Sequence, residues 1–481
     1  MNFRLIFFSI GLILAILCAS MTVPALIDLH DGNLGNARVF FACSIGGVFI
    51  GILIAISNSN YNHAINARDG FLLTTLCWLV ASFAASLPFH FSDLQLNYVD
   101  SFFESVSGFT TTGSTVIAGL DSKSRGILLW RSLLVWIGGM GVIGLAIVFL
   151  PFLKIGGMQL FQAESSDKSE KFMPRSGEII KGIFFTYCVI SIMCATTYHS
   201  LGMSWFDAIN HAMTTLGTGG FSTRDSSFIL YSPAIQWAAT IFMTLSGMPL
   251  IMFLRFGVQH KISVFKDSQL YSYLGIIIVP SLIITAWLLT HSTLSPGDAL
   301  RHSFFNVSSI ITTTGYASAD YLQWGTFPIM LLLLLTYLGG CSGSTAGGIK
   351  TMRLEILARH GISEIKKLFF PHGVFITTYN KKPLDLSIVN SVMVFSFIYV
   401  VTNVFVTLIL CLMGLDFETA LSGAATALAN VGPGIGPIIG PVGNFVPLSN
   451  PATFVLAIGM LLGRLELLTV LVLFHPSFWR R

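Results

Sequence analysis

Apolar residues along this chain gather into blocks of about 20, the length a helix needs to cross a ~30 Å hydrocarbon layer. Such blocks fall near 3–27, 36–57, 69–92 and 126–152, then near 177–201, 232–256, 270–292, 323–340, 386–413 and 452–475. The pattern predicts about ten helical crossings, and an even number returns both termini to one side. The first block outruns the roughly 7–15-residue core of a signal peptide and reads as a span.

Four of the intervening loops, 93–125, 202–231, 293–322 and 414–451, each hold an apolar stretch too short to span, followed by Thr, Gly, Asn or Pro. That shape predicts a half-helix that dips into the membrane and returns. Setting one glycine of each loop in register exposes an internal repeat. The first loop runs from Asp100 through Glu104 to Thr110-Thr111-Thr112-Gly113-Ser114, and the third ends Ile311-Thr312-Thr313-Thr314-Gly315-Tyr316. Both place Phe-Phe ten residues before the glycine. The second, ending Leu216-Gly217-Thr218-Gly219-Gly220-Phe221, and the fourth, ending Ala429-Asn430-Val431-Gly432-Pro433, are degenerate copies.

Composition agrees: 53% of residues are hydrophobic and 10% charged over 481 residues, with a mean hydropathy of +0.77. No water-soluble core hides that much apolar surface, so the chain reads as one membrane domain. The net charge of +4 matters less than its distribution. Lys154, Lys168, Lys171, Arg175 and Lys181 follow the fourth block, Arg255, Lys261 and Lys266 the sixth, and Lys366, Lys367, Lys381 and Lys382 the eighth. The positive-inside rule makes those loops cytoplasmic, together with Arg4 and Arg480-Arg481. The four repeat loops hold few cations, Lys123, Arg125, Arg224 and Arg301, and should face outward. Seven cysteines, odd in number and without a CxxC pair, argue against a disulfide framework or a zinc site.

Four re-entrant loops suit one chemistry. A desolvated potassium ion needs several oxygens at fixed spacing, which backbone carbonyls from several loops supply, and threonine hydroxyls add a further ring. Glycine permits the φ values that aim consecutive carbonyls at one axis. Each half-helix ends beside the ion, where its partial negative charge favours a cation. Small residues that merely pack helices closely explain one such loop but not four on one side.

Two other features stand out. Gly339-Gly340-Cys341-Ser342-Gly343-Ser344-Thr345-Ala346-Gly347-Gly348-Ile349-Lys350 interrupts an apolar span, and non-helical backbone at that depth survives only against protein or a water cavity. Its glycine spacing approaches a phosphate-binding loop, but Ile349 precedes Lys350 and no strand leads in. Arg464 lies in the last block, with Glu466 expected on another helical face, and an intramembrane arginine must line a cavity or find a partner. Arg131, Trp136, Asp207, His211 and Glu418 read more simply as caps, snorkelling side chains or interfacial anchors.

The span, loop, span unit in four copies resembles the Trk/Ktr/HKT superfamily, nearest its TrkH and TrkG branch, over essentially the whole chain. The residues carrying the likeness are Thr111-Thr112-Gly113-Ser114, Thr218-Gly219-Gly220-Phe221, Thr313-Thr314-Gly315-Tyr316 and Asn430-Val431-Gly432-Pro433. The resemblance implies an all-α integral membrane fold, a two-helix region at 1–60, and repeats at 61–160, 161–265, 266–372 and 373–481. It implies a potassium filter in which Thr111, Thr112, Thr218, Gly219, Ile311, Thr312, Thr313, Asn430 and Val431 offer carbonyls, with one glycine per repeat admitting potassium. Serine at the first such position is associated with sodium-selective plant relatives. Gly340, Gly343, Gly347, Gly348 and Lys350 would form a gate beneath the filter, and Arg464 would stand in the pore beside it. The likeness further implies a homodimer, a cytosolic TrkA-type nucleotide-binding regulatory subunit, contact with membrane lipid but not nucleic acid, no organic cofactor, and a bacterial inner membrane with both termini cytoplasmic. Gly217 and Gly219 in the second loop, and Asn-Val in the fourth, depart from the threonine pattern and imply weaker selectivity than a four-fold filter.

Rival readings are proton- or sodium-coupled symport on the same scaffold, a scaffold subunit without transport, and a membrane-embedded enzyme. Symport meets few carboxylates in the expected spans. An enzyme would draw on His199, His211 or His302 with Asp207, and no metal or nucleophile motif supports it.

Overall fold

Without water to satisfy backbone N–H and C=O groups, an apolar block in lipid closes its own hydrogen bonds as a helix. The computed structural model describes residues 1–60, 66–149, 176–259 and 265–480. The cations Lys154, Lys168, Lys171, Arg175, Lys261 and Arg481 fall outside them. Among the described residues six helical stretches are long and apolar enough to cross: Phe3–His30, Leu34–Ser57, Arg68–Phe91, Gly177–Ser200, Ser268–His291 and Leu386–Leu412. Arg125–Phe149 adds a further apolar helix.

Three blocks expected as unbroken crossings are not. The block at 232–256 divides into Pro233–Ser246 and Leu250–Val258, bent by 88°, because Pro249 brings no N–H to the helix. The block at 452–475 divides into Asn450–Arg464 and Leu467–Phe474, bent by 107°, around Glu466 at a φ of 61°. The block at 323–340 keeps only Thr326–Thr336 as helix before the glycine-rich segment begins.

The first two crossings pack as a pair, Gly11 against Gly51, so closely that a Cβ on Gly11 would lie 2.6 Å from the Gly51 carbonyl oxygen. Small residues of this kind let membrane helices approach. Four span, short helix, span units follow, with the short helices at Tyr98–Phe109, Trp205–Leu216, Pro296–Ile311 and Phe417–Ala429. All four start alike. Asn97, Ser204, Ser295 and Asp416 accept a hydrogen bond from the amide of Asp100, Asp207, Asp298 and Thr419 respectively. Such caps satisfy orphan N–H groups, and acidic first turns complement the helix dipole.

Buried side chains join neighbouring units. Trp78, Phe103 and Phe109 of the first share a core with Ala420, Ala424 and Leu456 of the fourth. Ile310 and Ile311 of the third pack with Ala429 and Val431 of the fourth. On the outer faces, Ile45, Phe49, Phe185, Phe397 and Phe405 are exposed, as a lipid-facing surface requires. The segment after the glycine-rich loop forms the helix Thr351–Phe369 and a small hairpin, Thr378–Tyr379 with Lys382–Pro383. Tyr379 pins that hairpin by donating to Asp267 at 3.0 Å.

Candidate functional site

Each short helix ends where its repeat loop begins, and the four loops leave their helices in one geometry. The amides of Thr112, Gly219, Thr314 and Val431 turn back to the carbonyls of Ser107, Thr214, Ser309 and Thr426, at 2.8, 3.0, 2.8 and 3.1 Å. The residue before each lies in the left-handed region, Thr111, Thr218, Thr313 and Asn430 at φ of 56, 54, 56 and 56°. The glycine after each does too, Gly113, Gly220, Gly315 and Gly432 at 89, 61, 82 and 111°. The glycine set in register in each loop thus recurs in one backbone geometry, with Gly220 holding that place in the second loop.

The glycines also reveal how the loops meet. A Cβ on Gly113 would overlap the Gly219 carbonyl oxygen, one on Gly220 that of Thr314, and one on Gly315 that of Val431. A Cβ on Gly432 would stand 2.8 Å from the Thr112 carbonyl oxygen. The first loop therefore abuts the second, the second the third, the third the fourth, and the fourth the first, in a closed ring. Above the ring lies a cleft of about 280 Å³ that Gly113, Gly220 and Gly432 line together with Ser222, Asp225 and Asn444.

Hydroxyl chemistry follows the sequence departures. Thr110 and Thr112 hydroxyls lie 2.8 Å apart, and so do those of Thr312 and Thr314. In the fourth loop Asn430 Nδ2 donates to Thr112 Oγ1 at 2.9 Å and to the Met460 carbonyl. Of the expected carbonyl donors, Ile311 closes its helix and Thr312 caps it. In register they lie two residues and one residue, respectively, before the first donor named in the other loops.

The glycine-rich segment 339–350 lies directly beneath. The Gly347 amide donates to Thr313 Oγ1 at 2.7 Å, and a Cβ on Gly347 would overlap the Ala429 carbonyl. Gly343 and Gly348 take φ of 81 and 65°. Gly340 and Gly343 meet the other helix break: Cys341 N donates to Gly247 O at 2.8 Å, and Leu250 N to Gly343 O at 3.1 Å. Thr345, a polar residue within that segment, donates to Leu216 O at 2.9 Å. Arg464 Nη1 donates to Thr345 O at 2.9 Å, while Lys350 Nζ turns back to the Ala346 carbonyl. The structure thus brings Gly340, Gly343, Gly347, Gly348, Lys350 and Arg464 together under the ring. Glu466 points away from Arg464 and pairs with Arg353 at 2.6 Å.

Arg131 departs from the interfacial role expected of it. It is 1% exposed, and its Nε meets Glu104 Oε1, 0% exposed, at 2.7 Å, because it faces the loops rather than lipid. The repeat pattern assigns Glu104 no role of its own, although a carboxylate in the middle of a short apolar helix is itself a signal. Trp136 is no surface anchor either, donating to Ser191 at 3.1 Å. Asp207 sits in the first turn of its helix as expected, accepting from Thr223 at 2.6 Å. His199, His211 and His302 are held separately by Met203, Ser222 and Ser318. Among the described residues no three His, Cys, Asp or Glu side chains gather as a metal site.

Residues 38–481 match the TrkH family, described as a cation transport protein. The Trk system potassium uptake protein TrkI of Halomonas elongata is 45% identical over 413 residues, 85% of this chain and 84% of that protein. The Trk system potassium uptake protein TrkH of Vibrio parahaemolyticus is 38% identical, with 100% of both chains covered. The crystal structure of the potassium transporter TrkH from Vibrio parahaemolyticus superposes with a TM-score of 0.92 at 35% identity, again over 100% of both chains.

Proposed function

We propose a function from the premise that this chain belongs to the TrkH family of cation transport proteins: it is a multi-pass membrane transporter, not an enzyme, that takes up potassium through the ring of four loops. The observation that supports this reading is the ring itself, in which four loops share one backbone geometry and abut in sequence order. Carbonyls of Thr111, Thr112, Thr218, Gly219, Ile311, Thr312, Thr313, Asn430 and Val431 would take the place of water around a desolvated ion. The short helices would direct their C-terminal partial negative charge at it.

Transport on this reading is passive and filter-selective, driven by membrane potential. The segment holding Gly340, Gly343, Gly347, Gly348 and Lys350 closes the path from below. Arg464 adds a positive charge there, an electrostatic barrier to cations. The protein works as a homodimer with one pore per subunit in a bacterial inner membrane, both termini cytoplasmic. A cytosolic TrkA-type nucleotide-binding subunit docks near the helix Thr351–Phe369 and moves the gate. The two-helix region spans 1–60, and the four repeats divide near 160, 265 and 372.

The test is ion flux in liposomes holding the purified chain, under potassium and sodium gradients and at varied pH. Potassium flux without stoichiometric proton or sodium movement is expected, whereas coupled movement would favour symport. Gly113→Ser and Gly315→Ser should raise sodium flux relative to potassium. An unchanged ratio in either would remove the filter assignment.

A further inference from the structure

The residue nine places before each ring glycine is Glu104, His211, Asn306 or Gly423, and in the first three repeats it holds the strand that leaves the ring. Asn306 donates to Ser318 Oγ at 3.0 Å and accepts from Ser318 N at 3.4 Å. His211 Nε2 lies 3.0 Å from Ser222 Oγ. In the fourth repeat the neighbouring Ser422 does this work, accepting from Ile435 N at 3.0 Å. These three braces are neutral and local.

The first is charged and reaches further. Glu104 Oε2 accepts from Val116 N at 2.9 Å, and Thr115 Oγ1 lies 3.0 Å from both carboxylate oxygens. Arg131, paired with Glu104, donates through Nη2 to Thr115 Oγ1 at 3.2 Å. Through Nη1 it donates to the Ser222 carbonyl of the second loop at 3.0 Å. Its guanidinium lies 4.0 Å over the Phe221 ring, immediately after Gly220. One planar group thus grips the outgoing strands of two adjacent loops, and Ser222 joins this brace to that of His211.

A pair this buried adds little net stability, since desolvation of both charges offsets their attraction. What it supplies is geometry: several charge-assisted hydrogen bonds at fixed angles. We propose that Glu104 and Arg131 are positioning residues for ion selection, setting the spacing between the first and second loops without touching the ion. The proposal rests on reading the ring as the filter.

The experiment compares relative KM and maximal rate for potassium and sodium in proteoliposomes of the full chain. Its variants are Glu104→Met with Arg131→Met together, Arg131→Lys, Gly113→Ser, and Asp31→Asn, which removes the half-exposed Arg125–Asp31 pair. The double variant replaces a buried pair by apolar side chains, a change that cores tolerate. It should elute as a single folded species, keep its maximal potassium rate, and raise the sodium-to-potassium preference about tenfold, the worth of one charge-assisted hydrogen bond. Arg131→Lys keeps the charge but not the planar fork, so it should shift the preference the same way. If the double variant does not fold, Arg131→Lys decides alone. A parental preference in the folded double variant or in Arg131→Lys, beside a shifted one in Gly113→Ser, overturns the positioning role and leaves the filter standing. Parental preference in Gly113→Ser as well removes both. Asp31→Asn should match the parent, and a shift there equal to that of the double variant would overturn the proposal.

Discussion

A methyl group added to any ring glycine meets the backbone of another repeat rather than its own. For Gly113, Gly220 and Gly315 it would overlap a carbonyl oxygen, whereas for Gly432 it would stand 2.8 Å from one. All four also lie at positive φ, which costs an L-residue about 1–2 kcal/mol. Alanine at the first three positions should therefore cost selective potassium uptake at least about tenfold more than alanine at Gly432, a difference of ~1.4 kcal/mol. Initial uptake rates of potassium and sodium in proteoliposomes measure this, and equal losses at all four would contradict the steric ordering. The glycine register was legible because repetition marks it. The left-handed Thr111, Thr218 and Thr313 were not, since β-branched residues avoid that region and only surrounding contacts hold them there. The pairing of Glu104 was hidden for a related reason: its partner Arg131 is 27 residues away, and distance along the chain conceals an ion pair.

Helices were legible as apolar lengths, and their breaks only in part. Gly247-Met248-Pro249 carries a breaker that a hydropathy window averages away, so 232–256 read as one crossing. The stretch Gly463-Arg464-Leu465-Glu466 carries none after its glycine, and its bend comes from partners elsewhere. Glu466 meets Arg353, itself 3% exposed and 3.9 Å over the Phe395 ring. Arg464 instead reaches Thr345, and its Nε and Nη2 have no hydrogen-bond partner among the described residues. Two neighbouring charges therefore carry opposite burdens, which separates their variants. Glu466→Gln removes the carboxylate that the buried Arg353 meets and should lower stability by about 3 kcal/mol, read as a fall in the detergent unfolding midpoint. On the proposed reading, Arg464→Ala should leave that midpoint near the parental value and raise potassium flux several-fold, because a positive charge would no longer face the path. A flux gain from Glu466→Gln alone, or a stability loss from Arg464→Ala alone, would reverse these assignments.

At the scale of the whole molecule, the ring closes because the first unit packs against the fourth. Their shared core of Phe103, Phe109, Ala424 and Leu456 brings together residues more than 300 positions apart in sequence. The sequence announced four units but not this adjacency, which depends on which helix faces bury against one another. The N-terminal pair docks on the same side: Asp28 accepts from Gly126 N at 2.8 Å, at the start of the first unit's second span. Orientation rests on charge alone, with the four short helices entering from the cation-poor side and Thr351–Phe369 on the other. Two exposed positions test it. Ser122 follows the first ring loop, and Glu364 lies half-exposed on the helix Thr351–Phe369. In spheroplasts, Ser122→Cys should react with a membrane-impermeant maleimide at once, and Glu364→Cys only after the membrane is opened. The native cysteines, buried or half-buried among the helices, supply a low background in the parent. Labelling of Glu364→Cys in sealed spheroplasts would invert the molecule, and with it the side of the membrane towards which the ring stands from the glycine-rich segment.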